Sequence, residues 1–297
     1  MINLTLKQLR YFEALSRHGH FGRAAEACAI SQPALSVQIR EMEESLGTVL
    51  FDRSTRQVRL TTFGEEVAQK VREILFAVDE LGDLARRSQD GLIGRFRLGV
   101  IPTIAPYLLP RLVANLSLGH AGMDIRVRET LTQTLIAELA EGALDAAIVA
   151  LPVSEPTLME FPLFSENFVL VRPLEDAGKP VPDADGLREM KLLLLEEGHC
   201  FRDQALAFCA TSTARPRELL DASSLSTLVQ LVGAGMGVTL IPEMAVAVET
   251  GAAPVSVADF PAPRPSRNIG MVWRKSSPLD VQLRQIAEAV REAALAK

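Results

Sequence analysis

The stretch RAAEACAISQPALSVQIREMEESLGTVLFDR, residues 23–53, decides how the N-terminal part of the chain folds. Ser31 is a residue type favoured at helix N-caps, Pro33 is tolerated in a first helical turn, and Gly47 is typical of the position that ends a helix. Between these signals apolar residues recur with helical spacing, at Leu35, Ile39, Met42 and Leu46. The pattern predicts an amphipathic helix from about residue 31 to residue 46 with one buried face.

The segments on either side of this helix complete a small domain. A second short helix is predicted from Phe21 to about Cys28, and a first helix is predicted by apolar residues at helical spacing, namely Leu6, Leu9, Phe12 and Leu15. The segment FDRSTRQVRLT, residues 51–61, has a turn-like centre between apolar residues, which predicts a two-stranded wing. We therefore expect residues 1–60 to form an all-α winged helix-turn-helix domain.

The face of the third helix opposite its apolar stripe suits DNA. It carries small, polar and basic residues that can lie in a major groove, namely Gln32, Pro33, Ala34, Ser36, Val37 and Arg40. Three arginines in the wing suit contacts to phosphates, namely Arg53, Arg56 and Arg59. Residues 1–60 carry a net charge of +2 in a chain with a net charge of −6, which also favours a DNA-binding module. The alternative is a solvated helix face next to a charged hairpin.

Residues 61–90 are predicted to form a long linker helix. Thr62 and Glu65 match a capping box at its start. Apolar residues then recur as a heptad seam, at Val67, Val71, Ile74, Val78, Leu81 and Ala85. We expect this seam to dimerise with a second copy, and the alternative is a helix packed on its own domain.

From residue 91 to residue 297, predicted strands alternate with predicted helices, which indicates an α/β effector domain with mostly parallel sheets. No run of about 18 uncharged apolar residues is present, and the first residues lack the apolar core of a signal peptide. We therefore expect a cytoplasmic protein without a membrane partner. The sequence gives no reason to expect a cofactor.

The stretch quoted at the start, with its SQPALS core and its LFDR wing, resembles the N-terminal signature of LysR-type transcriptional regulators. The heptad helix and the α/β body extend this resemblance to the whole chain. It implies an effector domain of two Rossmann-like (periplasmic-binding-protein-like) subdomains, about 91–165 with 268–297 and about 166–267, separated by a cleft. It also implies promoter double-stranded DNA and RNA polymerase as partners, and a homotetramer built as a dimer of dimers.

Two of the three cysteines, Cys200 and Cys209, lie in the segment GHCFRDQALAFC, residues 198–209. If the segment is one helix, nine steps of 1.5 Å separate them by about 13.5 Å along the axis. Since a disulfide needs Cα atoms within about 7 Å, it would form only after the helix unwinds. A helix N-terminus and Arg202 favour a thiolate at Cys200, whereas Glu196 and Glu197 oppose it. Two buried apolar cysteines would give the same spacing, and a metal site fits this spacing poorly.

The segments GHCFRDQALAFC and GVIPTIAPYLLP resemble the peroxide-sensing branch of the LysR-type family. The resemblance implies that hydrogen peroxide oxidises Cys200 and that Cys209 then resolves the product as a reversible disulfide. It also implies a peroxide pocket formed by Thr103, Thr132, His199, Arg202, Asp203 and Arg267. Judged by the residues alone, Thr103 and Thr132 are expected to be helix N-caps, and Cys28 is expected to be a small buried residue.

Two alternatives remain. One is a LysR-type regulator that responds to a small anionic metabolite and whose cysteines are structural. The other is an enzyme, a thiol peroxidase that uses the same cysteine pair. An enzyme has no need of the winged domain and the dimerising helix, so we expect a regulator and not an enzyme.

Overall fold

The computed structural model describes residues 3–52, 58–87, 94–119, 123–209 and 219–295. The chain folds into two compact units, Met1–Ala85 and Arg86–Lys297. Among the described residues, no helix combines the length and apolar character needed to cross a membrane.

The first unit is a three-helix domain with a short hairpin and the start of a long helix. Its elements are α1 (Leu6–His18), α2 (Phe21–Ala27), α3 (Gln32–Leu46), β1 (Phe51–Asp52), β2 (Arg59–Leu60) and α4 (Thr62–Arg87). Ser31 caps α3 by accepting from the amide of Ala34 at 3.3 Å, and Gly47 ends it with a left-handed φ of 71°. Strands β1 and β2 pair antiparallel, with Phe51 opposite Leu60. The winged helix-turn-helix prediction is confirmed.

The predicted apolar faces form the core of this unit. Phe12, Leu15, Leu35, Ile39 and Met42 are fully buried together. Helix α4 begins at Thr62, one residue earlier than a cap at Thr62 requires. Thr61 is the capping residue because its hydroxyl accepts from the amide of Gly64 at 3.0 Å, so the predicted capping box of Thr62 and Glu65 is wrong.

The second unit is an α/β body whose elements alternate along the chain. Its first half contains β3 (Gly94–Val100), α5 (Ala105–Gly119), β4 (Met123–Glu129), α6 (Thr132–Ala140), β5 (Ala146–Leu151) and β6 (Leu158–Pro173). Next come α7 (Ala184–Glu189), β7 (Leu192–Leu195), α8 (Cys200–Cys209), β8 (Leu219–Ala222), α9 (Leu225–Gly233) and β9 (Thr239–Pro242). The last elements are α10 (Val246–Glu249), β10 (Val255–Asp259), β11 (Ser266–Arg274) and α11 (Asp280–Leu295).

Two hydrophobic cores divide this body into two subdomains. The first core is built from β3, β5, β11, α5, α6 and α11, together with the first half of β6. The second core is built from β7, β9, α8 and α9, together with the second half of β6. The prediction of two α/β subdomains is confirmed.

The sheet pattern corrects the expectation of mostly parallel sheets. Strands lie in the order β10-β6-β11-β5-β3-β4, with β9 also paired to β6, and β7 pairs with β8 separately. Among the named strands of the described residues, β3–β4, β3–β5 and β7–β8 pair parallel, whereas β6 and β11 make antiparallel pairs. The reason is topological: β6 carries the chain out of the first core and β11 brings it back beside β6, so the two strands must run in opposite directions.

Candidate functional site

Cys200 lies where α8 begins, directly after the tight turn that follows β7. Gly198 takes a φ of +97° in this turn, and a Cβ there would lie 2.9 Å from Leu131 Cδ1. The positive φ therefore favours glycine here, and an added Cβ would also displace the end of the Leu131 side chain. Cys200 is half-buried with a free thiol and packs against the first core, whereas the neighbouring Phe201 is buried in the second core. The turn thus places the sulfur at the boundary between the subdomains.

The cysteine spacing follows from α8, which spans the ten residues Cys200–Cys209 as predicted. Nine helical steps correspond to about 13.5 Å along the axis, well beyond the 7 Å limit between the Cα atoms of a disulfide. The side chain of Cys209 lies outside the part of the chain that the structure describes. The backbone alone therefore requires α8 to unwind before these two residues can be joined.

A narrow gap lies beside Cys200 in the cleft between the two cores. It is lined by Thr103, Thr132, Gly198, His199 and Cys200 and leaves no room for a water-sized sphere. Cys200 and Thr132 also line a wider cavity of about 520 Å³, which reaches Asp203 and Arg267. Cys200 therefore lines both a narrow gap and an open cavity.

The two threonines of the gap are not helix N-caps. Thr132 is the first residue of α6, whose cap position is Leu131, and its buried hydroxyl has no partner among the described residues. Thr103 lies two residues before α5, and its hydroxyl accepts from Arg267 Nη1 at 2.8 Å. The N-cap expectation for both is wrong, because the hydroxyls face the cleft instead of the helix amides. Thr132 thus offers a buried, unsatisfied hydroxyl next to Cys200, a feature that calls for a ligand or a role.

Arg267 is fully buried and connects several elements. Its Nε donates to Glu166 Oε1 at 2.7 Å, and its Nη2 donates to the carbonyl of Thr103 at 3.0 Å. Its guanidinium carbon lies 5.5 Å from the centroid of the Phe201 ring. Burial raises the pKa of Glu166, and the adjacent Arg267 opposes that rise. Sequence reasoning missed Glu166, because β6 carries other polar residues, such as Glu160 and Arg172, and nothing local distinguishes Glu166 from them.

His199 and Arg202 occupy different positions. His199 is buried and lines the gap, and burial lowers the pKa of its imidazole, so the side chain is neutral near pH 7. The guanidinium of Arg202 donates instead to the carbonyl of Leu195 and to Asp221 on β8. Arg202 does not line either cavity next to Cys200. Its expected place in the pocket is therefore corrected, since its hydrogen bonds turn it towards β7 and β8, where it anchors α8.

Another cavity, of about 360 Å³, is also lined by His199. Tyr107 from α5 crosses this part of the cleft and donates to Glu249 Oε1 at 2.7 Å, while Ser226 donates to the other carboxylate oxygen. Neither residue stands out in the sequence, because each depends on a partner more than 20 positions away. Among the described residues, no group of three His, Cys, Asp or Glu side chains could hold a metal ion.

In the first unit, most of the predicted DNA-facing residues of α3 are exposed, namely Gln32, Pro33, Ala34, Val37 and Arg40, and Ser36 is half-buried. Arg59 is exposed on the wing, whereas Arg53 and Arg56 lie outside the described residues. Cys28 is half-buried at the end of α2, and burial raises its pKa. The exposed side chains form one continuous helix face, as a groove-reading surface requires.

The predicted heptad seam on α4 divides into two parts. Val71 is buried in the core of its own domain and Val67 packs against that core. Both are therefore unavailable to a partner helix, which corrects their assignment to a dimer seam. Ile74 is 46% exposed and Leu81 is 64% exposed, and Val78 is half-buried. The part of the seam that can meet another copy begins at Ile74.

Family models match both units. The model described as bacterial regulatory helix-turn-helix protein, lysR family, matches residues 6–65, and the LysR substrate binding domain matches residues 89–295. The chain belongs to the LysR family. This LysR-family chain is 42% identical to a probable hydrogen peroxide-inducible genes activator of Streptomyces viridosporus, over 97% of this chain and 94% of the relative. It is 39% identical to the DNA-binding transcriptional dual regulator OxyR of Escherichia coli, over 97% and 95%.

Solved structures agree with these relatives. A full-length OxyR variant from Pseudomonas aeruginosa matches with a TM-score of 0.77 at 36% identity, covering 97% of this LysR-family chain and 95% of its own. A hydrogen-peroxide-bound OxyR mutant from Corynebacterium glutamicum matches with a TM-score of 0.68 at 34% identity, covering 98% and 93%. Both comparisons cover the winged domain and the α/β body.

Proposed function

We propose that this LysR-family chain is a transcriptional regulator that detects hydrogen peroxide at Cys200 and records it as a reversible Cys200–Cys209 disulfide. The proposal rests on the position of α8, which places Cys200 beside the narrow gap and Cys209 at the opposite end of the helix. The relatives named for hydrogen peroxide, and the peroxide-bound OxyR structure, support the same chemistry.

The reaction has two steps. The Cys200 thiolate attacks one oxygen of hydrogen peroxide, so that an S–O bond forms while the O–O bond breaks, and the departing hydroxide takes a proton to become water. The Cys209 thiol then attacks the sulfenic sulfur, which forms the disulfide and releases a second water. Among the described residues the Thr132 hydroxyl has no hydrogen-bond partner, and Thr132 and Asp203 both line the wider cavity with Cys200, so both can contact peroxide there. Arg267 holds Thr103 in place by donating a hydrogen bond to its hydroxyl oxygen.

The disulfide acts as a switch because α8 cannot contain it. Phe201 is buried against the second core, and its ring meets Phe168 edge-on at 4.9 Å. Arg202 ties the same helical turn to β7 and β8. Unwinding α8 must break these contacts, so oxidation changes the shape of the second subdomain and not only one bond.

The winged unit is the part of the protein that binds DNA in this proposal. We propose that α3 lies in the major groove of promoter DNA, with Arg59 and the other wing arginines on phosphates. In this proposal residues 61–90 join subunits through α4, the protein is a homotetramer (a dimer of dimers), and it works with RNA polymerase in the cytoplasm. It is a regulator and not a peroxidase, since an enzyme has no need of the winged domain and of the linker helix α4.

Mass measurement tests the sensor proposal. A small excess of hydrogen peroxide should lower the mass of the protein by the two hydrogens of one intramolecular disulfide, and the Cys200→Ser variant should not respond. The Cys209→Ser variant should accumulate a sulfenic acid at Cys200, whereas Cys28→Ser should behave as wild type. Two intact thiols after peroxide treatment of the wild type would overturn the proposal.

DNA binding tests the output surface. Arg40→Ala should weaken binding to the operator more than to unrelated DNA, because a base contact carries sequence information. Arg59→Ala should weaken binding to both DNAs and reduce the slope of log affinity against log salt by about one. Equal losses on both DNAs for Arg40→Ala would remove this residue from base readout.

A further inference from the structure

The buried ion pair between Glu166 and Arg267 connects the two strands that join the subdomains. The two residues face each other across β6 and β11 in register. The Arg267 side chain is completely buried and Glu166 is 7% exposed, with a 2.6 Å distance between Arg267 Nη2 and Glu166 Oε1. A guanidinium buried this deeply depends on its carboxylate, because an uncompensated buried charge is strongly unfavourable.

The rest of this guanidinium is directed at the elements around Cys200. Nη1 donates to the hydroxyl oxygen of Thr103 at 2.8 Å and Nη2 to the carbonyl of Thr103 at 3.0 Å. The guanidinium carbon lies 5.5 Å from the centroid of the Phe201 ring, and Phe201 follows Cys200 directly. Arg267 thus holds Thr103 on one side and contacts α8 on the other.

The direction of the hydrogen bond to Thr103 determines what this hydroxyl can do. Its oxygen accepts from Arg267, so its own hydrogen remains available for donation to another acceptor. Thr103 lines the same narrow gap as Cys200. Peroxide that enters the gap by separating its walls would bring an oxygen that can accept this hydrogen. A donor held at that place can stabilise the negative charge that develops on the departing oxygen.

We propose that Glu166 is a positioning residue for the peroxide reaction at Cys200. Its carboxylate neutralises and orients the Arg267 guanidinium, which in turn fixes Thr103 as a hydrogen-bond donor towards the gap. Glu166 is itself held by the amide of Met244, which donates to Oε2 at 3.4 Å. The inference rests on the proposed function and adds to it a residue that touches neither the cysteine nor the cavity.

The test compares rates of Cys200 sulfenic acid formation in full-length Cys209→Ser protein, measured by rapid mixing with hydrogen peroxide and trapping. Glu166→Gln should slow this step between about tenfold and a hundredfold, the range expected when a reacting group is misplaced or a stabilising donor is lost. Glu166→Asp, which keeps the charge, should recover part of the rate. Glu243→Gln is the matched control, because Glu243 is a neighbouring carboxylate that accepts a hydrogen bond from Asn167 Nδ2 at 3.4 Å.

A double variant separates positioning from general damage to the fold. In a Thr103→Val background, Glu166→Gln should change the rate of sulfenic acid formation less than twofold. The hydroxyl through which Glu166 and Arg267 influence the gap is already absent there. The positioning role would be overturned if Glu166→Gln lowered the rate by the same factor with and without Thr103→Val. A rate in Glu166→Gln equal to that of the Cys209→Ser parent would also overturn it. If Glu166→Gln does not fold, Arg267→Lys can replace it in the same comparison with and without Thr103→Val. Lysine keeps the positive charge but loses the several N–H donors of the planar guanidinium.

The outcome also distinguishes this inference from the proposed function. Oxidation of Cys200 at an unchanged rate in Glu166→Gln overturns the role of Glu166 alone. A Cys200 that peroxide does not oxidise in the Cys209→Ser parent overturns both.

Discussion

Replacing Asp221 by asparagine should make the disulfide form faster after Cys200 has been oxidised. Asp221 on β8 accepts a hydrogen bond from Arg202, and this contact ties the first turn of α8 to the two-stranded sheet of β7 and β8. Because α8 must unwind before Cys209 can reach Cys200, a contact present only in the helical state slows closure. Asparagine removes the negative charge and leaves at most a weaker neutral hydrogen bond, so the fraction of molecules in which the helix is open should rise.

The structure sets the size of the effect. Arg202 is 11% exposed and Asp221 is 45% exposed, so the pair is half-screened by solvent. A hydrogen bond between charged groups is worth about 1.5–3 kcal/mol when buried, and the exposure of Asp221 reduces this to about 1–2 kcal/mol. Such a free energy corresponds to a change of about 5- to 30-fold in the opening equilibrium. Arg202 keeps its bond to the carbonyl of Leu195, so α8 should still form.

The assay follows the two steps separately. Rapid mixing with hydrogen peroxide, acid quench and mass analysis give the rate of sulfenic acid formation and the rate at which it disappears into the disulfide. Asp221→Asn should leave the first rate within twofold of wild type and raise the second by about 5- to 30-fold. Glu288→Gln is the control, because Glu288 pairs with Arg291 on the surface of α11 with the same 45% exposure.

An unchanged second rate in Asp221→Asn would refute the reasoning, since it would show that opening of α8 does not limit closure. Equal acceleration of both steps would also refute it, because Asp221 would then act on the chemistry of Cys200 and not on the helix.

Further predictions concern stability and the environment of the site. Ile39→Ala should destabilise the first unit by about 2–5 kcal/mol in denaturant titration, because Ile39 is fully buried, whereas Leu81→Ala should leave unfolding nearly unchanged and weaken self-association. Gly198→Ala should lower the unfolding free energy by about 1–3 kcal/mol, given its φ of +97°, and wild-type stability would contradict the strained turn. Burial lowers the pKa of His199 below its ordinary value of 6.5. As the pH falls below 6.5, the imidazole is therefore protonated in the unfolded chain before it is protonated in the folded one. The free energy of unfolding should fall over this range and level off once the pH is below the folded-state pKa. His199→Gln should flatten this slope in urea titrations.

The winged domain was predictable because its signals are local. Ser31 and Gly47 lie at the two ends of α3, and the helical spacing of its apolar residues needs no distant partner. The length of α8 could also be read from the segment between the cysteines. In these cases the residues that decide the structure are neighbours in the sequence.

The missed features depend on residues far apart. Glu166 meets Arg267 and Tyr107 meets Glu249 across 101 and 142 positions, which no local pattern encodes. The role of Arg202 was misplaced for the same reason, since its partner Asp221 comes from a later strand. Periodicity likewise predicted the apolar positions of α4 but could not show that Val71 serves its own domain, because a core and a dimer seam use the same spacing.

The paired crossing strands explain where this body can change shape. Over Ser266–Arg274, β11 is hydrogen-bonded to β6, so the connections between the subdomains are stiffened by a shared ladder and are not two loose tethers. A large rotation of one subdomain against the other would have to break or bend that ladder. Melting the ten residues of α8 leaves it intact. In the proposed switch, the disulfide therefore reshapes α8 and the contacts of α8 within the second subdomain, while the ladder between the subdomains stays in place. Reversing the change requires a reductant to reach only this segment.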